Sequence, residues 1–232
     1  MCGRYGLFTP EEDLAELFRA RIRDTDWRPS YNLAPSQTGM VCREPEAGQR
    51  ELSALEWGLI PFWAKDPRET RSKYSLINAR AESVAEKASF KAAFKYRRCL
   101  IPADGFYEWH TEGTGPKQPY WIRFRSGNPM SFAGLWERWE GTLDGERRTL
   151  ETYTIIVGPP NELLGRIHYR MPVILGQEDW DIWLDPGMKE TEALRQLLQP
   201  YPADGMEAYP VSRRVNNPKN DQPELLEATE EG

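Results

Sequence analysis

Short apolar runs bounded by Gly, Pro and other turn residues recur along the chain. They predict strands at 39–43, 51–57, 99–101, 106–109, 120–125, 131–136 and 152–157, with a brief one at 173–175. Helical signals are fewer. Thr9-Pro10-Glu11-Glu12 has the form of a capping box with Pro at the first helical position, which predicts a helix over 10–20. The Ala-rich stretch 78–94 predicts two helical pieces broken near Ser89, and 162–169 and 190–198 read as further helices. No repeat or low-complexity linker divides the sequence. The pattern predicts an α+β fold: a single compact domain over 1–226, with a curled, mostly antiparallel sheet and flanking helices. Residues 227–232 are expected to form an acidic, disordered tail.

Composition supports a sizeable core and excludes some classes. Nine Trp, ten Tyr and eight Phe supply bulky apolar surface, while 19 Pro and 18 Gly imply many turns. No apolar run reaches the roughly 18 residues of a membrane span. The N-terminal segment lacks the basic region and long apolar core of a signal peptide. Cys2, Cys42 and Cys99 are an odd set without close pairing, so no disulfide framework is expected and the reading is of a cytoplasmic protein with reduced thiols. The net charge of −6 argues mildly against nucleic-acid binding, yet it is unevenly spread. Residues 63–98 hold ten basic residues against four acids, and much of the excess acid lies near the C-terminus. That basic stretch is either a solvated helix face or a surface for nucleic acid.

Cys2 is the most informative position. Initiator Met is commonly removed when a small residue follows, and removal would leave an α-amine and a thiol on adjacent carbons. An α-amine has a pKa near 8, about two units below lysine, so part of it is neutral and nucleophilic at pH 7. It condenses with an aldehyde to an imine, and the thiol then adds to the same carbon to close a five-membered thiazolidine. Intramolecular attack and an intrinsically strong nucleophile favour that closure. A disordered terminal Cys without a role is the alternative for Cys2 taken alone.

Other segments set polar residues in apolar surroundings. Gly3 permits close backbone approach, and Arg4 offers a guanidinium suited to phosphate. Asn78, at the start of the 78–94 stretch, either caps a helix or points an amide at a reacting oxygen. Strand alternation puts Glu108 on the same face as Phe106, with aromatic neighbours on both sides. There it is either a carboxyl of raised pKa able to transfer protons, or the partner of an arginine such as Arg97 or Arg98. His168 is one of two histidines; the other, His110, lies beside a Gly-rich turn and reads as exposed. The absence of CxxC or HxxxH spacing argues against a zinc site, and no metal or cofactor is expected. Trp57 is expected to pack inside, while Phe62 and Trp63 run into the basic stretch as candidates for an exposed stacking wedge.

Taken together, Met1-Cys2-Gly3-Arg4, Tyr31-Asn32-Leu33-Ala34-Pro35, Trp57-Gly58-Leu59-Ile60-Pro61, Asn78-Ala79-Arg80, Gly105-Phe106-Tyr107-Glu108-Trp109, Ile167-His168 through Arg170, and Pro210-Val211-Ser212 through Asn216 resemble the SOS response-associated peptidase family of abasic-site processing proteins. The resemblance runs in order from residue 2 to about 226. It implies a barrel-like sheet and a cleft for single-stranded DNA containing abasic sites. By position it implies Cys2 as the crosslinking nucleophile, Asn78 placing the sugar or intermediate, Glu108 transferring protons, and His168 assisting Schiff-base chemistry and reversal. It further implies Arg4, Asn32, Arg80 and Arg170 at the DNA, with Phe62 and Trp63 stacking on bases. The chain departs from the family at Val157-Gly158-Pro159-Pro160-Asn161, before His168.

Three functions follow as expectations. The first is a monomeric DNA-repair factor that shields abasic sites as a thiazolidine crosslink, with lyase-type chemistry and removal of Met1, by itself or by another enzyme. The second is a thiol peptidase using Cys2 with His168, at most self-processing. The third is a noncovalent single-strand binder, for which a 1,2-aminothiol is unnecessary.

Overall fold

The computed structural model describes residues 2–23, 27–111 and 113–229. Its strands in the first half are β1 (Tyr5–Leu7), β2 (Arg21–Ile22), β3 (Ser30–Leu33), β4 (Thr38–Glu46), β5 (Gln49–Trp57), β6 (Asn78–Arg80), β7 (Arg98–Ala103) and β8 (Gly105–His110). The second half adds β9 (Gln118–Phe124), β10 (Met130–Leu143), β11 (Glu146–Gly158), β12 (Met171–Pro172) and β13 (Met206–Pro210). Short helices intervene: α1 (Glu11–Phe18), α2 (Pro67–Lys73), α3 (Lys91–Tyr96), α4 (Trp180–Leu184) and α5 (Thr191–Gln196).

Strands β11, β10, β7, β4 and β5 neighbour one another in that order, all antiparallel. β5 then returns to β11 in parallel, with Thr152 opposite Glu56 and Tyr153 opposite Trp57. The circuit is a closed five-stranded barrel, which leaves no free edge among these strands. A second antiparallel sheet runs β13-β9-β8-β1-β3. The core is aromatic: Tyr5, Trp57, Phe106, Phe132 and Tyr153 are buried, with ring centroids 5.3 Å apart for Tyr5–Trp57 and 5.8 Å for Phe106–Phe132. The Tyr5 and Tyr153 hydroxyls bond at 2.6 Å, and a Cβ on Gly39 would fall 2.2 Å from Tyr5 Oη. Only glycine lets β4 pass that close.

Several local expectations fail for identifiable reasons. Thr9 does not cap α1; its hydroxyl and N–H, with the N–H of Phe8, all donate to the Asp104 carboxylate, and the helix begins after Pro10 without a side-chain cap. The Ala-rich stretch 78–94 is not two helices. Its first residues form β6, which pairs in parallel with β11 at Asn78–Ile155, Ala79–Ile156 and Arg80–Val157. Turns follow, and helix appears only in α3, so sheet pairing overrides alanine's helix propensity. Residues 162–169 contain a single 3₁₀ turn, Leu164–Arg166. The strand expected at 173–175 lies instead at β12, with Ile174 in an isolated bridge to Phe132. The chain is still paired after residue 226: Ala228 bridges Val211, and the Thr229 N–H donates to the Pro210 carbonyl. The remaining part of the expected tail, 230–232, lies outside the described residues. No helix among the described residues is long and apolar enough to cross a membrane.

Candidate active site

β1 runs antiparallel to β8, with Tyr5 opposite Phe106 and the Tyr107 N–H donating to Arg4 O at 3.0 Å. Extending that register carries Cys2 and Gly3 alongside Glu108 and Trp109. Cys2 is buried against the barrel core. Asn78 holds it from the other side: the β6 amide Nδ2 donates to the Cys2 carbonyl at 2.8 Å. Asn78 therefore caps no helix. Its Oδ1 is buried and has no hydrogen-bond partner among the described residues. Burial, reinforced by the charge of Glu108, pushes the Cys2 thiol far above its ordinary pKa. The thiol stays protonated until a base takes its hydrogen.

Glu108 is buried beside it, and burial raises its carboxyl to about 7. A group poised there gives or takes a proton near neutrality. Neither proposed arginine partner pairs with it. Arg97 is bonded to Glu137 at 2.6 Å, and the Arg98 guanidinium donates to the carbonyls of Trp183, Phe94, Lys95, Asp185 and Met188. His168 places Nδ1 3.9 Å from Glu108 Oε1. The same nitrogen lies 3.0 Å from the Arg170 N–H and 3.2 Å from the Arg170 carbonyl, so it accepts from the first or donates to the second according to the tautomer. Burial lowers the imidazole pKa, favouring the neutral form. The departure at 157–161 has a structural use: Asn161 Oδ1 accepts from Leu164 N at 2.9 Å, and its Nδ2 donates to Tyr201 O at 2.8 Å, fixing the turn that delivers His168.

Glu108 and His168 open into a cleft of about 470 Å³, whose other lining residues are Trp109, Pro116, Lys117, Arg213 and Asn216. A larger cavity of about 910 Å³ lies near Ser131 and Trp180 and includes none of the sequence-predicted residues. Lys117 escaped sequence reading because no periodicity or motif marks it, and Arg213 lies within the 210–216 motif without an assigned role. Tyr169 also escaped it; its exposed ring stacks on His168 with centroids 4.4 Å apart.

The expected DNA-facing residues divide. Arg4 Nη1 donates to Asn32 Oδ1 at 2.7 Å and Val215 O at 2.8 Å, and its guanidinium lies 5.9 Å from the centre of the Trp109 ring. Asn32 is buried, and its amide donates to the carbonyls of Val215, Asn217 and Asn220, so it ties β3 to the C-terminal segment. Arg170 is ion-paired with Glu82. Arg80 is exposed at the end of β6. Phe62 and Trp63 are 53% and 52% exposed, whereas Trp57 is buried and donates to Ile77 O. His110 is half-buried, edge-on to Tyr120. Part of the basic stretch is paired with acids at the surface: Arg68 with Asp144, Arg71 with Glu56 and Lys73 with Glu69.

A family model described as SOS response associated peptidase (SRAP) matches residues 1–218. The chain is 46% identical over 230 residues to the abasic site processing protein YoqW of Bacillus subtilis, covering 98% of this chain and 100% of that protein. It is 33% identical over 267 residues to the abasic site processing protein HMCES of Xenopus tropicalis, covering 98% of this chain and 78% of that one. Among solved structures, a protein from Bacteroides thetaiotaomicron superposes with a TM-score of 0.86 at 27% identity, over 98% of this chain and 100% of that one.

Proposed function

Because the chain belongs to the SOS response associated peptidase (SRAP) family, we propose that it processes abasic sites in single-stranded DNA by capturing them through Cys2 once Met1 is removed. Relatives covering nearly the whole chain carry the name abasic site processing protein. The observation that carries the mechanism is the clustering of four side chains: Asn78 is bonded to the buried Cys2, Glu108 is close enough to act on the Cys2 thiol, and His168 lies beside Glu108 at the cleft. An abasic sugar is mostly a closed hemiacetal. Glu108 moves a proton between its oxygens to expose the aldehyde. The freed Cys2 amine attacks the aldehyde carbon, and loss of one water gives the imine. The Cys2 sulfur then adds to the imine carbon; its proton ends on the ring nitrogen, relayed by Glu108 or His168. Asn78 fixes the Cys2 backbone with Nδ2 and offers Oδ1 to the amine or to a sugar hydroxyl. The product is a thiazolidine that shields the lesion from strand cleavage.

A thiol peptidase built on Cys2 and His168 fits less well. Such a nucleophile needs a depressed thiol pKa, and here burial acts the opposite way. The test is a denaturing gel of abasic single strands incubated with Met1-free protein, with a verified Met1-retaining form, and with a form whose α-amine is acetylated. Only the first should yield a crosslinked band. Equal crosslinking by the Met1-retaining form would overturn the mechanism, and full binding with no crosslink from any form would leave a noncovalent binder.

A further inference from the structure

The cleft over Glu108 and His168 carries two cations that the chemistry above does not use. Lys117 ends the loop between β8 and β9, and Arg213 lies in the 3₁₀ turn Arg213–Asn216. Both are exposed and both line the cleft. Among the described residues neither forms an ion pair, in contrast to Arg68, Arg71, Arg97 and Arg170. The charge of Lys117 reaches both Glu108 and His168.

The backbones carrying these cations are fixed. Gln118, next to Lys117, donates through Nε2 to Val211 O at 2.8 Å, and the Val211 N–H donates to Pro119 O at 3.0 Å. The Arg213 turn is capped by the Ser212 hydroxyl and pinned by three contacts. Trp109 Nε1 donates to Asn216 Oδ1 at 2.8 Å, and both Arg4 and Asn32 donate to the Val215 carbonyl. Two flexible cationic side chains are thus mounted on rigid adjoining walls, across the opening through which a substrate must reach Glu108. Two unneutralised cations at the cleft repel a cationic substrate and attract an anionic one.

We propose that Lys117 and Arg213 form an anion subsite that holds a phosphodiester adjoining the abasic sugar. The proposal rests on the abasic-site reading above and adds a specific contact to it. A phosphate held there locks the sugar's position over Glu108, which lowers the entropic cost of reaching the attack geometry.

The experiment is a double-mutant cycle between protein and DNA. Single strands carry either an abasic site, for crosslinking rate, or its uncleavable tetrahydrofuran analogue, for equilibrium binding. In each, the phosphodiester on the 5′ or the 3′ side of the lesion is replaced by a neutral methylphosphonate. Wild type should bind one of the two methylphosphonate strands roughly tenfold more weakly than the all-phosphate strand. The K117A/R213A protein should lose a similar factor on ordinary DNA and nothing further on that methylphosphonate strand. A K117R variant should keep near wild-type affinity. Additive losses on both strands, while wild type crosslinks normally, would overturn the subsite alone. Absence of wild-type crosslinking to the all-phosphate strand would overturn the abasic-site reading and the subsite with it. Circular dichroism and thermal midpoints of the double variant check that its fold is intact.

Discussion

Burial is the main influence on the ionisation of both Cys2 and Glu108. Cys2→Ala keeps the amine but removes the ring-closing atom. It should give reversible imines that borohydride traps, with strand scission by β-elimination; a heat-stable adduct formed without reductant would contradict this. Glu108→Gln keeps the shape and removes proton transfer. Single-turnover crosslinking should slow by roughly 10²–10⁴, with affinity for undamaged single strands unchanged; wild-type rates from pH 5 to 9 would make Glu108 a structural carboxylate. The same substitution has a stability signature. The Glu108 pKa is raised by burial from 4.5 to about 7, so the folded state favours the protonated form. Its stabilising contribution is full below pH 4.5 and is lost as pH rises through 7. Relative to wild type, Glu108→Gln should therefore be near neutral at pH 4.5 and more stable above pH 8, by at most about 3 kcal/mol. A thermal-melt series over that range reads the difference.

At the scale of elements, what could be foreseen depended on whether a segment's partner was local. The hairpins β4–β5, β8–β9 and β10–β11 join neighbours in sequence, and their alternating apolar positions give them away. β6 could not be foreseen, because its partner β11 lies more than seventy residues away and alanine in that stretch speaks for helix. β1 and β3 were missed for the same reason: each is short and stabilised by a distant neighbour, β1 by β8. Cys2, Glu108 and His168 could be picked out as chemistry, but their convergence depends on those unseen pairings. The role of Asn32 was equally hidden. Its buried amide joins β3 to carbonyls near residue 217, so Asn32→Ala leaves buried acceptors unpaired, each costing about 1–3 kcal/mol. The expected outcome is a destabilised protein with faster hydrogen exchange concentrated in 213–220; uniform exchange across the barrel would contradict this anchoring role.

The whole molecule meets an anionic polymer with a net charge of −6, so affinity must come from local placement of cations. The fold pairs several of the basic residues that make 63–98 look attractive for DNA with acids on the surface. It leaves Arg80, Lys117 and Arg213 exposed and, among the described residues, without such pairs near the site or its cleft. Binding should weaken with salt, and Arg80→Gln should flatten the log–log salt slope by about 0.7 if it removes one single-strand phosphate contact. An unchanged slope would place Arg80 off the DNA path. Exposed Phe62 and Trp63 lie outside the cleft lining and offer aromatic rings on which unpaired bases can stack. This predicts a preference for single strands over intact duplex, and equal affinity for the two would contradict it.

The central claim is that an amine and a thiol of one residue both bond to the lesion carbon. Intact mass spectrometry of Met1-free protein mixed with an abasic single strand, with and without borohydride, tests it most directly. The account predicts one adduct, lighter by a single water than the sum of protein and DNA, its mass unchanged by borohydride because the thiazolidine has no C=N bond to reduce. A wild-type adduct that gains two hydrogens on reduction, or an adduct of the same kind from protein that retains Met1, would contradict it.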